Sequence, residues 1–233
     1  MQGPALRNDV ADQRESYQTV NFMTERQAPG RQAELLNDTQ VRACLRWCDE
    51  RRRYPHRDRV VVLLSVRAGL RSVEIARLRR GHVMDGGGIA DVIDLQDRLS
   101  KKGPGRVIPM HADLRTHIIK LFGIVPGGPD DPLILSERAM RPNPEDPADG
   151  RLVCMAPNSI VLMFGQMYGE LGLAGCSSHS GRRTFITRVA DKISEAGGSL
   201  RDVQQLAGHT SLNTTQRYVD GSEEAKRRVM KLL

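Results

Sequence analysis

Between residues 179 and 218 the chain concentrates side chains that handle phosphate. It reads Ser-Ser-His179-Ser-Gly-Arg182-Arg-Thr-Phe, then Leu-Ala-Gly-His209, then Thr-Thr-Gln-Arg-Tyr218. Each of these residues stands beside a helix start or stop signal. Arginine presents a planar fork of donors that matches a phosphate. Histidine transfers protons near neutral pH. A tyrosine hydroxyl is a nucleophile once it is positioned and activated. Collected in one site, these groups can bind a phosphodiester anion, neutralise it and attack it, with no metal ion in the scheme.

The elements that must hold them follow from pattern and punctuation. Residues 1–30 are polar, with Gly3, Pro4, Pro29 and Gly30 and no sustained period, and read as an N-terminal arm. Asp38 reads as the N-cap of a first helix carrying Val41, Cys44, Leu45 and Cys48 at helical spacing. A second helix runs from about Asp58 through Val61, Val62, Leu63 and Leu64 to a stop at Gly69. A short third covers Val73–Arg80. Ile89–Leu95 and Arg106–Pro109 have β character and flank Ser-Lys101-Lys102-Gly-Pro-Gly, which predicts one small sheet with a Gly/Pro-rich turn. A helix near Ala112–Gly123 precedes a Pro-, Gly- and Asp-rich surface loop over 124–150. Helices are expected over Asn158–Leu171 with Pro157 at the start, over Gly181–Ala196, and from a Ser199/Asp202 capping box to Gly208. One more should hold Tyr218, and Ser222 should open a last helix to the C-terminus. The fold class is therefore mainly α with a small inserted antiparallel β-sheet, residues 31–233 forming one domain.

Composition sets the limits. The chain has 233 residues, 39% hydrophobic and only 4% aromatic, so its core rests on Leu, Ile, Val, Ala and Met. Net charge is +7, and residues 41–80 alone hold 12 arginines against four acids. A basic block in an otherwise near-neutral chain suggests a surface facing a polyanion, although a solvated helix face would look the same. No run of 18 apolar residues and no secretory signal pattern occurs, so a soluble, cytoplasmic protein is expected. Cys44, Cys48, Cys154 and Cys176 lack zinc-site spacing and read as reduced, buried thiols.

Four segments in order carry a resemblance: Ala68-Gly69-Leu70-Arg71-Ser72-Val73-Glu74-Ile75; Lys101 ahead of Gly-Arg106-Val-Ile-Pro109; His179-x-x-Arg182 followed by Arg-Thr-Phe; and Leu206-Ala-Gly-His209, nine residues before Tyr218. Singly, each has an ordinary alternative. Arg71 could be a surface charge, His209 a helix cap, Tyr218 a half-buried core tyrosine, Lys101 a turn lysine. Together and in this order they resemble the tyrosine recombinases of the phage integrase family over residues 69–218.

The resemblance implies the catalytic-domain fold of that family and a cofactor-free DNA strand transferase. Tyr218 would attack the scissile phosphate to form a 3′-phosphotyrosyl link. Arg71 and Arg182 would hold the phosphoryl oxygens, and His179 would act as general acid or base. His209 would donate to the phosphate, and Glu74 would brace the arginines. Lys101, with Lys102 as the alternative, would protonate the leaving 5′ oxygen. Implied partners are a double-stranded DNA recombination site, a homo-tetramer on that DNA, and accessory DNA-bending proteins, in a mobile-element setting.

Departures from the family pattern are Val73 where a small residue is common, Gly181 where Leu is common, and a longer Arg182–Tyr218 interval with the extra residues near Glu195–Gly198. About 35 residues precede the first helix, too few for the DNA-clamping domain most relatives carry, so the chain resembles the short, catalytic-domain-only recombinases. DNA affinity would then lean on the basic 41–80 block. Residues 222–233 resemble the tail that docks on a neighbouring protomer in this family. Two rival readings are a DNA-binding accessory protein with little catalysis and a type IB topoisomerase-like enzyme.

Overall fold

A computed structural model of the chain describes residues 32–95, 105–139, 153–218 and 230. The chain divides into two units, Met1–Gly30 and Arg31–Leu233, and all described residues lie in the second. The expected arm (1–30), the turn carrying Lys101 and Lys102, residues 140–152 of the expected loop, and the expected C-terminal helix apart from Met230 lie outside the described residues.

Helix α1 spans Asp38–Arg51. Its N-cap is Asn37, one residue before the expected Asp38, because Asn37 and Gln40 close a reciprocal box: Gln40 N–H donates to Asn37 Oδ1 and Asn37 N–H to Gln40 Oε1, both at 2.9 Å. Asp38 instead occupies the first turn, where its carboxylate favours the helix N-terminus and pairs with Arg188 at 2.8 Å. Helix α2 (Pro55–Ala68) starts three residues earlier than expected. Proline at its first position costs no hydrogen bond there and presets φ. Val60 to Leu64 are all buried, so α2 is apolar on every side and forms the central rod of the core. It packs against α1, against α4 (Ala112–Ile124), and against α6 (Ser180–Ile193).

The α2–α6 contact explains Gly181. A Cβ there would lie 2.3 Å from Ser65 Oγ and 2.9 Å from Ser65 Cβ, so the glycine permits close approach of the two helices. The departure from the family pattern at Gly181 is thus a packing requirement.

Helix α3 (Ser72–Arg77) is shorter than expected, and a 3₁₀ turn over Arg80–Val83 follows it. The single expected sheet is two separate antiparallel pairs. Strands β1 (Met84–Asp85) and β2 (Gly88–Ile89) form one hairpin. Its two-residue turn is Gly86-Gly87, both at positive φ (53° and 88°), a tight connection that ends the pairing at once. Strands β3 (Val92–Asp94) and β4 (Val107–Pro109) form the other, with Ile93 opposite Ile108, both buried.

The expected surface loop is corrected in its described part. Leu133, Ile134 and Leu135 are buried, Leu133 N–H donates to Leu78 O at 2.8 Å, and Leu135 bridges Cys154. Three consecutive apolar residues outweigh the turn residues around them. Helix α5 (Pro157–Glu170) buries Ile160, Met163, Phe164 and Met167 and packs on α3. Helices α7 (Leu200–Ala207) and α8 (Leu212–Gln216) close a smaller second cluster around Ile186, Val203 and Ala207, with Phe185, Val189 and Tyr218 packed on it. Cys44 and Cys48 are buried as expected, Cys176 is half-buried and Cys154 is exposed. Among the described residues no helix is long and apolar enough to cross a membrane.

Candidate active site

Helix α2 stops because Gly69 adopts the left-handed conformation (φ 65°), where an added Cβ would stand 2.4 Å from Phe185 Cδ1. The chain reverses there and delivers Arg71 at the threshold of α3. Glu74, one turn on and 5% exposed, accepts from Arg71 N at 2.7 Å and from Arg71 Nη1 at 3.1 Å. Arg106, leading into β4, grips the same carboxylate from the other side. Its Nη1 and Nη2 donate to Oε1 and Oε2 at 2.9 and 3.1 Å, a bidentate fork. Burial alone would raise the Glu74 pKa. The Arg106 hydrogen bonds and charge, then Arg71, overcome it and hold the carboxyl below its ordinary range.

Arg182 rises from the first turn of α6 and is 5% exposed. Its Nη1 donates to Gly69 O at 2.5 Å and its Nη2 to Ala207 O at 2.6 Å, so it ties the end of α2 to the end of α7. Burial, then the Arg71 charge, brings its pKa down to about 10, so it remains a cation at neutral pH. His179 sits just before α6, exposed at the cavity mouth. Its pKa is lowered by lost hydration on its protein-facing side, then by Arg182 and Arg71.

The α7 capping box forms as expected, with Ser199 N–H donating to Asp202 at 2.7 Å. Gly208 ends the helix at φ 61° and turns the chain so that His209 is buried. His209 Nδ1 shares a 2.9 Å hydrogen bond with Thr215 Oγ1, and its ring stacks on Tyr218, centroids 5.7 Å apart. Burial, then Arg182, Arg71 and Arg106, lowers the His209 pKa to about 4, so the ring is neutral at pH 7. Tyr218 is half-buried in a turn two residues beyond α8, not on a helix as expected; α8 ends at Gln216.

These elements surround an open cavity of about 370 Å³, lined by Arg71, His179, Arg182, His209 and Tyr218, with Arg183 and Arg217 beside them. One wall is the segment before α1. Arg183 Nη1 donates to Ala33 O at 2.5 Å, and Leu36 N–H to Thr184 Oγ1 at 2.8 Å. Five of the seven site residues singled out in the sequence therefore line one cavity. Glu74 lies beneath it, and Lys101 falls outside the described residues, as does its alternative Lys102. Sequence reasoning missed the structural parts played by Arg106, Arg183 and Thr215. Arg106 and Arg183 stand inside quoted motifs, but nothing in one sequence separates them from the other arginines.

Such a cavity offers fixed cations, a neutral imidazole and a tyrosine to one anion, which is the equipment of a phosphoryl-transfer site. The fold is that of tyrosine recombinase catalytic domains. It matches the crystal structure of XerA recombinase (TM-score 0.62, 20% identity, 88% of this chain and 66% of that one). It also matches the Tn1549 transposon integrase (TM-score 0.64, 18% identity, 88% and 67%). The chain belongs to the phage integrase family, whose model matches residues 34–225. Curated relatives include the tyrosine recombinase XerC of Methylobacterium sp. (strain 4-46), 30% identical over 165 residues, covering 70% of this chain and 45% of the relative. XerC of Haemophilus ducreyi is 34% identical over 167 residues, covering 70% and 47%. The chain thus spans about half the length of the curated relatives it matches.

Proposed function

We propose that this protein is a site-specific recombinase that cuts and rejoins double-stranded DNA through a covalent link to Tyr218. The observation that carries the reading is the convergence of Arg71, Arg182, His209 and Tyr218 on one cavity from four separate elements. Relatives named tyrosine recombinases, and solved neighbours such as the Tn1549 integrase with transposon right end DNA and XerH with its difH substrate, support it.

In this reading a DNA phosphate enters the cavity between Arg71 and Arg182. The Tyr218 hydroxyl oxygen attacks phosphorus and loses its proton to His179 or to solvent through it. The bond to the 5′ oxygen breaks, and that oxygen takes a proton from Lys101, or from Lys102. The product is a 3′-phosphotyrosyl ester and a free 5′ hydroxyl, so no bond energy is lost and the step reverses. Three arginines, Arg71, Arg106 and Arg182, face one carboxylate, Glu74, leaving two positive charges in place before substrate arrives. That surplus suits the extra negative charge that builds on the phosphoryl oxygens in the transition state. In this reading the neutral His209 ring carries its proton on Nε2, where it donates to the phosphate, while Nδ1 accepts from the Thr215 hydroxyl. Residues 31–233 act as the catalytic domain, with 1–30 as an arm and 222–233 as a tail that docks on a neighbouring protomer. Four protomers assemble on the DNA, with accessory bending proteins where the site requires them, in the cytoplasm.

The test uses fragments of the DNA flanking this gene in its native replicon, nicked to trap the intermediate. Wild-type protein should form a denaturant-stable adduct on one fragment, and Tyr218→Phe should form none. Binding without an adduct on every fragment would replace this reading with a DNA-binding accessory role. Adducts without sequence preference, formed by a monomer, would favour topoisomerase-like action.

A further inference from the structure

Arg106 does not line the cavity, and the reaction as read above gives it no contact with the substrate. It is 9% exposed, and its Nε is buried with no hydrogen-bond partner. Two of its contacts reach separate parts of the machinery. Its fork holds both oxygens of Glu74, the carboxylate that orients the backbone and side chain of Arg71. Its guanidinium also lies under the turn that presents His209. A Cβ added at Gly208 would stand 2.5 Å from Arg106 Nη1 and 3.0 Å from its Cδ and Cζ. Gly208 therefore answers two demands, a left-handed φ of 61° and passage over a buried guanidinium. Arg106 immediately precedes β4, and its carbonyl accepts from Leu95 N–H at 2.9 Å beside the β3–β4 pairing.

We propose that Arg106 is a positioning residue that holds Arg71 and His209 in register across the cavity, through Glu74 on one side and the Gly208 turn on the other. The inference rests on the recombinase reading above and deepens it. The mechanism is geometric and electrostatic. A bidentate fork fixes a carboxylate in two directions, which a lysine's point charge does not. Small misplacement of a phosphate ligand is costly in rate.

The groups facing His209 are Arg182 from α6, Arg71 from the start of α3, Arg106 from just before β4, the Tyr218 ring and Thr215. Removing Arg106 therefore takes a cation from the shell of His209 and a partner from Glu74. Both groups should then protonate at a higher pH than in the wild type.

The experiment compares wild type, Arg106→Gln and Arg106→Lys in three measurements: adduct formation on nicked substrate, DNA affinity by anisotropy, and the His209 ring titration followed by NMR without DNA. Arg106→Gln should slow adduct formation about 100-fold, with affinity held within about threefold, because misplacement affects chemistry more than encounter. Its His209 midpoint should move up. Arg106→Lys keeps the charge and loses the fork, so it should slow the adduct while leaving the midpoint near wild type. A folded Arg106→Gln protein with wild-type rate and an unmoved midpoint overturns the proposal. If Arg106→Gln does not fold, Arg106→Lys decides, and a wild-type adduct rate there overturns it. If the wild type itself forms no adduct on any fragment, the recombinase reading fails. The NMR titration then still reports whether Arg106 sets the environment of His209, and an unmoved midpoint overturns its role.

Discussion

Two arginine-rich regions of this molecule use the same side chain in opposite ways. Along α1, α2 and the turn between them, four arginines are matched by acids. Arg52 and Arg57 share buried Asp58 at 2.7 and 2.8 Å, Arg59 pairs with Asp49, and Arg67 approaches Asp113 at 3.5 Å. Around the cavity, Arg71, Arg106 and Arg182 meet a single carboxylate, and Arg182 spends two of its donors on backbone carbonyls instead. The first arrangement cancels charge and braces helices. The second preserves a surplus of positive charge in a place water only partly reaches, where it acts most strongly on an anion. Of the 41–80 block, Arg71 is the member that lines the cavity, and much of the rest is structural.

Asp58→Asn should break the first region most severely. It leaves Arg57, 1% exposed, with no anion nearer than the exposed Glu137 at 3.7 Å, and breaking a buried pair costs about 3–5 kcal/mol. Thermal or urea unfolding measures this, and a loss under ~1 kcal/mol would contradict the bracing role. Arg182→Ala is the counterpart at the cavity. Loss of one fixed donor to a developing anion should reduce adduct formation about 10²–10³-fold, well beyond any change in DNA affinity. A variant with normal rate would place the charge surplus elsewhere.

The pH dependence of stability separates the regions further. His209 titrates near 6.5 when unfolded and near 4 in the fold, because burial and the surrounding arginines disfavour its charged form. The folded protein thus binds fewer protons there, and that share of stability is complete above pH 6.5 and lost as pH falls from 6.5 through 4. Urea midpoints across that window should show the decline in wild type and a flatter profile in His209→Gln. The smallest effect belongs to Arg46, exposed on α1. Arg46→Ala should change stability by no more than ~0.5 kcal/mol and leave the adduct rate at saturating DNA unchanged.

Much of the helical plan is readable from punctuation. Gly69, Gly208, Pro157 and the Ser199/Asp202 box each mark the boundary where it occurs, since each satisfies a backbone need that few other residues meet. Boundaries set by reciprocal partners are harder to read. Asn37 outranks Asp38 as a cap only because Gln40 answers it. The Gly86-Gly87 turn takes Ile89 out of the expected sheet, because two positive φ values reverse the chain and pair Ile89 with Met84 instead. Leu133–Leu135 joins the core despite its prolines and aspartates, because Leu78 and Cys154 are present to receive it.

The sequence by itself determined which chemistry is available here and in what order its groups occur along the chain: arginines, histidines and one tyrosine at family spacing, beside helix ends that expose them. Those are local facts, carried by residue type and by short-range backbone preference. Only the tertiary structure decided which arginines remain available to an anion and which are spent on Asp58, Asp49 or Asp113. It also decided that Glu74 is held by Arg106 from 32 residues away, and that Gly181 and Gly208 are required by Ser65 and by Arg106. Pairing, burial and close approach arise between segments distant in the chain, and a charge or a missing Cβ acquires its meaning from what folding places beside it.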